Sequence, residues 1–216
     1  QSFDATITVT TDADPIEKGD VMFVFDLTGS MGAELAATKV SATAIMTSVS
    51  SVLAKTWFGV ASFMDYNGYF AYPGYSNSYG GGTDYPWRLD RNPSADVPAV
   101  AAAINNLSLG DGQDGPEDYT RVLHELLSVT WRSGTKKIAV LFGDAPTHDL
   151  TFAGYNNGGD PGRDNQAQTA DDLDFETTVG KLREAGITVV AVNSGSDGGS
   201  TGATFRAMSI GYNDVA

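Results

Sequence analysis

Apolar residues along this chain fall into short continuous bursts, and the stretches between them carry a helical period. The run Val-Met-Phe-Val-Phe at 21–25 shows no polar alternation, the pattern of a strand buried on both faces of a parallel sheet. Residues 34–53 are rich in Ala, Leu, Met and Val and hold neither Gly nor Pro, which predicts a long helix. Their Ser and Thr content lowers helix propensity without breaking the period. Residues 57–64 predict a second strand, 98–107 an Ala-rich helix, and 118–130 a helix with Val122, Leu123, Leu126 and Leu127 on its buried side. A third buried strand is expected at 138–142, a helix at 173–185 closed by Gly186, and a fourth strand at 187–192.

Strands alternating with long helices imply an α/β domain, doubly wound, with a mostly parallel central sheet and helices on both faces. The 216 residues suit one domain, which we place at 19–216, with 1–18 as an N-terminal extension. Within that extension residues 3–10 alternate apolar and polar (Phe3, Ala5, Ile7, Val9), as an extra edge strand or the tail of a preceding domain would. At the other end 204–210 supply one or two turns of helix or a short strand, so the C-terminal end of the domain reads as truncated.

Two long stretches break the pattern. Residues 65–84 hold Tyr66, Tyr69, Phe70, Tyr72, Tyr75 and Tyr79 among Gly, Ser and Asn, and 149–170 carry Gly154, Gly158, Gly159, Pro161 and Gly162. Long loops of this kind in a compact domain are functional or disordered. Tyrosine offers large contact area at low entropy cost, which makes Tyr69, Tyr72, Tyr75 and Tyr79 candidates for contacting a partner. An insertion that packs back on its own domain fits the same residues.

Composition narrows the function classes. A hydrophobic content of 41% is enough for a full core. The charges are lopsided, 13 Lys+Arg against 27 Asp+Glu for a net of -14, which argues against binding a phosphate backbone. It suits a protein that binds cations or basic surfaces, or one that lives in a salty medium. There is no cysteine, so disulfide scaffolds, thiolate zinc sites and cysteine nucleophiles are excluded. No apolar run approaches the roughly 18 residues a membrane helix needs. The chain starts at Gln1 with neither Met nor a signal-like segment, and reads as a mature fragment of something longer.

In an open parallel sheet, ligands bind beyond the carboxyl ends of the strands. Directly after the first burst come Asp26-Leu27-Thr28-Gly29-Ser30, spaced so that a turning loop can aim the oxygens of Asp26, Thr28 and Ser30 at one point. Asp65 follows the second strand, Asp144 follows the third after Gly143, and Asp111, Asp114, Glu117 and Asp118 lie just before a helix. All-oxygen ligation is what hard cations require, and without a cation these carboxylates repel one another. Singly, each has a plainer reading: Asp26 as a cap of the following helix, 111–118 as a solvated turn with an N-cap, Asp144 as a loop acid. Their recurrence at corresponding strand and loop ends favours a metal centre.

The segment Asp26-Leu27-Thr28-Gly29-Ser30-Met31 resembles the metal-ion-dependent adhesion site motif, Asp-x-Ser/Thr-x-Ser, of von Willebrand factor A domains. Within that superfamily the chain is most similar to the I-like domain of integrin β subunits. The similarity runs through residues 25–31, 58–65 (Phe-Gly-Val-Ala-Ser-Phe-Met-Asp), 114–117 (Asp-Gly-Pro-Glu) and 141–148 (Leu-Phe-Gly-Asp-Ala-Pro-Thr-His), in that order. The resemblance implies a central Mg²⁺ or Mn²⁺ held by Thr28, Ser30 and Glu117, with Asp26 and Asp144 reaching it directly or through water. It also implies an adjacent Ca²⁺ held by Asp65, Asp114, the backbone carbonyl of Pro116 and the other oxygen of Glu117. The resembling domains place an Asn where this chain has Gly112, so one side-chain ligand is missing. Their third, flanking site uses two consecutive acids where this chain reads Ala33-Glu34, which leaves Glu34 alone. In the other kind of A domain a Thr replaces the Glu, and Thr120 and Thr83 are the candidates for that role. The Asp-x-Pro-Glu pattern favours Glu117.

The same resemblance implies a protein or glycoprotein partner that offers an Asp or Glu carboxylate, contact through the loop at 67–84, and an extracellular or cell-surface location. In the family a disulfide closes that loop. The acidity and the plain Gly/Asn/Ser loops fit a secreted prokaryotic surface protein. An enzyme would need a nucleophile, an acid and a base. His124 lies inside a predicted helix, His148 reads as a structural neighbour of the metal centre, and Thr28 and Ser30 are poor nucleophiles once bound to a cation. A metal-assisted hydrolase therefore lacks a general base. A cation-dependent adhesion module is the expected function, with a Ca²⁺-stabilised structural module of a larger surface protein as the alternative.

Overall fold

A computed structural model describes residues 18–53 and 55–209. Its strands are β1 (Gly19–Asp26), β2 (Trp57–Phe63), β3 (Tyr69–Tyr72), β4 (Tyr75–Ser78), β5 (Arg88–Ser94), β6 (Lys136–Gly143) and β7 (Ile187–Asn193). Its helices are α1 (Gly32–Val52), α2 (Val97–Asn105), α3 (Tyr119–Leu126), α4 (Phe175–Glu184) and α5 (Gly199–Met208). The main sheet has five strands in the order β5-β2-β1-β6-β7. β1 pairs in parallel with β2 and β6, β6 pairs in parallel with β7, and β5 runs antiparallel on the outer edge of β2.

All eight residues of β1 are buried, as its unbroken apolar run requires. The two-residue period of the strand sorts the core into two layers. Val21, Phe23 and Phe25 pack with Leu35 and Met46 of α1 and with Val100 and Ile104 of α2. Met22 and Val24 pack on the opposite face with Leu123 and Leu126 of α3, Val179 of α4 and Phe205 of α5. Adjacent strands add ring stacking, Phe25 on Phe142 at 5.0 Å and Phe23 on Phe58 at 5.8 Å. The same parity places Asp26 on the α3 side of the sheet.

Asp20, at the amino end of β1, is fully buried and fully matched. Its carboxylate accepts from the Arg132 backbone N–H at 2.7 Å and from Arg132 Nε at 2.6 Å. The guanidinium also lies 4.2 Å from the centre of the Trp57 ring. This pair holds the sheet at the end away from the candidate site.

The doubly wound architecture agrees with the sequence reading, with three differences. β5 was not expected, because Arg-Leu-Asp-Arg-Asn-Pro-Ser has no apolar alternation; an edge strand tolerates both that pattern and Pro93. Residues 65–84 are not wholly irregular. They contain the β3–β4 hairpin, closed at Pro73-Gly74, with Gly74 at the positive φ of +77 that this turn demands. The last helix begins earlier than expected, at Gly199, while the helix expected at 118–130 spans Tyr119–Leu126. The strand expected at 3–10 and residues 210–216 lie outside the described residues. Among the described residues no helix is long and apolar enough to cross a membrane.

Candidate metal centre

Asp26 closes β1 and shapes the turn that follows. Its Oδ1 accepts from the Thr28 backbone N–H at 2.9 Å and from the Thr28 hydroxyl at 2.7 Å. This is the local side-chain-to-backbone bonding that Asp favours in turns. It brings Thr28 Oγ1 within 3.5 Å of Ser30 Oγ, with Thr28 buried and Ser30 exposed. Asp26 Oδ2 accepts from the Tyr119 hydroxyl at 2.8 Å. That hydroxyl in turn accepts from the backbone N–H groups of Asp144, at 3.2 Å, and Ala145, at 3.3 Å. Tyr119 thus ties the carboxyl end of β1 to that of β6. Gly143 leaves the space, since a Cβ there would lie 2.1 Å from the Tyr119 oxygen. Burial pushes the Asp26 carboxyl up to about 6, against its hydrogen bonds from Thr28 and Tyr119, and the Asp144 charge adds to the rise.

Glu117 enters from the loop before α3. Its backbone N–H donates to Pro146 O at 2.9 Å and its carbonyl accepts from the His148 N–H at 3.0 Å, so two loops are joined side by side. The side chain is buried and Oε2 has no hydrogen-bond partner. Burial first, then the Asp26 and Asp65 charges, raises the Glu117 carboxyl well above the ordinary range. Gly112 sits between Glu117 and Thr28 with a φ of +59, and a Cβ there would lie 2.9 Å from Glu117 Oε1 and from Thr28 Cγ2. Asp84 holds the loop by accepting from the N–H groups of Gly81 at 2.6 Å, Asp111 at 3.1 Å and Gly112 at 3.0 Å.

Asp65, Asp114 and His148 form a second, tighter group. Among the described residues they are the set of three whose ligand atoms all lie within 4.8 Å of one another. His148 Nε2 stands 3.1 Å from Asp65 Oδ2 and 3.6 Å from Asp114 Oδ1. Asp26, Glu117 and Asp144 do not converge so closely. Burial lifts the carboxyls of Asp65 and Asp114 and depresses the His148 imidazole. Asp118 joins them. It precedes α3 but makes no side-chain cap bond, and both carboxylate oxygens are buried without a hydrogen-bond partner. Burial and then Asp65 and Asp160 drive its carboxyl well up.

The other expected residues are placed as follows. Pro116 is buried next to Glu117, and Glu34 is half-buried in the first turn of α1. Thr120 is enclosed, with its hydroxyl 2.8 Å from that of Thr147 and donating to His148 O at 3.1 Å, so it is no alternative to Glu117. Thr83 is exposed on its loop. The tyrosine expectation needs correction. Tyr72 and Tyr79 are 4% and 0% exposed and form a satellite core with Tyr66 and Phe70, so their rings are not free to meet a partner. Tyr69 is 65% exposed, and Tyr75 is half-buried with its hydroxyl on Asp114 Oδ2 at 2.8 Å. His148 stands beside the acids, as expected, with Nε2 3.1 Å from Asp65 Oδ2 and Nδ1 2.7 Å from Asn157 O. The sequence placed Asp118 in the acidic stretch before α3 but held no signal that His148 would meet Asp65, which lies 83 positions away.

This end of the sheet gathers carboxyls whose burial disfavours the ionised form. Six buried or half-buried carboxylates (Asp26, Asp65, Asp114, Glu117, Asp118 and Asp160) all have raised carboxyl pKa values. Buried charge of one sign is costly unless it is protonated or matched by a cation. Among the described residues Asp65, Asp114 and His148 form a group that could hold a metal ion.

No family model and no curated protein matches the chain. Among solved structures, proximal thread matrix protein 1 from the mussel byssus superposes with a TM-score of 0.53 at 17% identity, over 91% of this chain and 40% of that one. A second structure of that protein, with a zinc-occupied MIDAS motif, gives 0.49 at 19% identity, over 91% and 40%. The pilus adhesin SpaC from Lactobacillus rhamnosus GG, in its open conformation, gives 0.49 at 15% identity, over 82% and 24%. The chain spans less than half the length of these structures. At such identity the likeness to the mussel protein is one of fold, and the fold of this chain is a doubly wound α/β one.

Proposed function

We propose that this domain is a cation-dependent protein-binding module that captures a partner carboxylate at the open position of a central Mg²⁺ or Mn²⁺. The observation that carries the reading is the turn set by Asp26, which presents Thr28 and Ser30, with Glu117 Oε1 approaching Thr28 across Gly112 and Glu117 Oε2 buried without a partner. Thr28, Ser30 and Glu117 are the direct ligands, with Asp26 and Asp144 acting directly or through water. The exposed Ser30 keeps one side of the ion accessible. At a net charge of -14 the domain repels an acidic partner, so the cation has to bridge the like charges. Tyr69, with Tyr75 at the rim, contacts the surface around the captured acid. A second ion lies beside the first, at Asp65 and Asp114; the family resemblance implies Ca²⁺ there, with the Pro116 carbonyl and Glu117, whereas this chain also brings His148 Nε2 to 3.1 Å from Asp65 Oδ2.

The module is non-enzymatic and works outside the cell or on its surface. His148 is buried with both ring nitrogens engaged, and His124 lies in α3, so neither stands as a general base beside Thr28 or Ser30. The test is capture from a protein and glycoprotein array with Mg²⁺ plus Ca²⁺, repeated in EDTA and with Thr28→Ala. The reading expects partners that are lost in both controls. Equal retention in EDTA would favour a structural module. Metal-dependent turnover of a phosphoester or peptide library would favour a hydrolase.

A further inference from the structure

The group formed by Asp65, Asp114 and His148 is more than a cluster of acids, because each member is pinned from behind. Asp65 Oδ1 accepts from the Tyr66 N–H at 2.7 Å, and Asp114 Oδ2 accepts from the Tyr75 hydroxyl at 2.8 Å. His148 Nδ1 lies 2.7 Å from the carbonyl oxygen of Asn157. A carbonyl only accepts, so Nδ1 carries the proton. The atoms left facing one another are Asp65 Oδ2, Asp114 Oδ1 and His148 Nε2. The side chains of Asp65 and His148 are 0% exposed and that of Asp114 is 2% exposed. Asp114 Oδ1 receives no hydrogen bond from an N–H or hydroxyl donor, and the carboxyl of Asp65 is its nearest polar neighbour besides His148. A second proton on His148 would serve Asp65 and leave Asp114 Oδ1 unserved beside the equally orphaned oxygens of Glu117 and Asp118. One cation serves all three inward atoms.

We propose that Asp65, Asp114 and His148 form a mixed nitrogen–oxygen site that takes Zn²⁺ in preference to Ca²⁺ and Mg²⁺, and that its ion staples the tyrosine hairpin and the 144–160 loop to the end of β2. The imidazole decides the metal. Ca²⁺ and Mg²⁺ take oxygen donors, whereas imidazole suits Zn²⁺ and its first-row neighbours. Tetrahedral Zn²⁺ with bonds of about 2.0–2.2 Å sets its ligand atoms roughly 3.3–3.5 Å apart. The separations of 3.1 and 3.6 Å bracket that spacing. The bonds from Tyr66, Tyr75 and Asn157 are the outer contacts that orient such ligands. Through Tyr75 the ion reaches β4, and through His148 and Asn157 it reaches the Gly-rich loop. The chain has no cysteine to do the same work.

The inference rests on reading this end of the sheet as a cation centre, but concerns an ion held apart from Thr28 and Ser30. The test titrates chelator-stripped protein with Zn²⁺, Ca²⁺ and Mg²⁺ by calorimetry and thermal melts, for the natural sequence, His148→Gln, Asp114→Asn and Thr28→Ala. The expected result is tighter binding of Zn²⁺ than of Ca²⁺, a higher melting temperature with Zn²⁺, and loss of roughly tenfold or more in Zn²⁺ affinity in His148→Gln and Asp114→Asn. Thr28→Ala should keep the Zn²⁺ response, even where it abolishes carboxylate capture. X-ray absorption of the Zn²⁺-loaded natural protein should show one imidazole among oxygen ligands, a readout that does not depend on any variant folding. Zn²⁺ binding without imidazole, Zn²⁺ displaced by equimolar Ca²⁺, or no Zn²⁺ binding overturns the proposal. Failure of partner capture with this Zn²⁺ signature intact overturns only the proposed function.

Discussion

The imidazole of His148 lies flat against the ring of Tyr79, with 3.7 Å between centroids and 5° between planes. This stack makes one object of two loops that looked separate. Tyr79 donates its hydroxyl to Gly159 O at 3.1 Å, and Tyr66 donates to Asp160 Oδ1 at 2.9 Å. The glycines of the second loop lie directly against the rings of the first. A Cβ on Gly158 would come within 2.2 Å of the Tyr79 oxygen, and one on Gly159 within 2.5 Å of the Tyr72 ring. The aromatic loop is therefore an inner wall of the candidate site, and its outer face is what a partner can meet.

That division separates Tyr79 from Tyr69. Tyr79→Ala empties a fully buried ring site and is expected to cost about 3–5 kcal/mol. Tyr79→Phe, which loses only the bond to Gly159, should cost about 1 kcal/mol. Tyr69→Ala should stay within about 0.5 kcal/mol of the natural protein in denaturant melts. It should nonetheless weaken partner capture. Equal stability losses at the two positions would contradict the assignment.

Removing bound cations should soften the fold. An ion that binds the native state alone adds about 2.7 kcal/mol at a free concentration about 100 times its Kd. For a domain of this size, chelation is then expected to lower the melting temperature by about 5–10 °C per site. Re-addition of the ion should restore it. A melting temperature unmoved by EDTA would remove the cations from the account of stability.

The pH response should change sign with metal. Burial holds the carboxyls of Asp26 and Asp160 at about 6 in the metal-free fold, against an ordinary value of 3.8. A folded-state pKa raised above the unfolded one gives stability that is fully present below the unfolded value and lost as pH rises through the folded value. The chelated protein should thus gain stability on acidification from about pH 7 to about pH 5. Bound metal needs ionised carboxylates, so the loaded protein should lose stability over the same range. Thermal melts in EDTA and in saturating Mg²⁺ plus Zn²⁺ check both arms, and parallel slopes would refute the prediction.

Gly112→Asn would add a side-chain amide between Thr28 and Glu117, and it should do harm. Its Cβ would press on Thr28 and Glu117 at 2.9 Å. Asn tolerates the φ of +59 better than most residues. The expected outcome is weaker Mg²⁺ binding at the central site in calorimetry, with the fold retained. Tighter binding would show that the loop can move aside and take the missing ligand.

The sequence by itself determined the four parallel strands of the sheet, the helices packed on them and the first turn of the site. The burst at 21–25 could only be an inner strand, and the bond from Thr28 to Asp26 spans two residues, so its geometry is written locally. What only the tertiary structure decided is which distant groups stand opposite. Tyr119 reaches Asp26 across 93 positions of chain, and His148 reaches Asp65 across 83. Asp118 has the sequence of a helix cap yet turns its carboxylate into the acidic cluster. Periodicity states which side of its own element a residue occupies and nothing about the loop that fills the space beyond. Tyr72 and Tyr79 show the same limit, since a tyrosine is equally at home on a contact surface or under a glycine loop. The choice between those places was made when the loop after β6 folded over them, bringing a carbonyl acceptor to the Tyr79 hydroxyl and an imidazole to the Tyr79 ring.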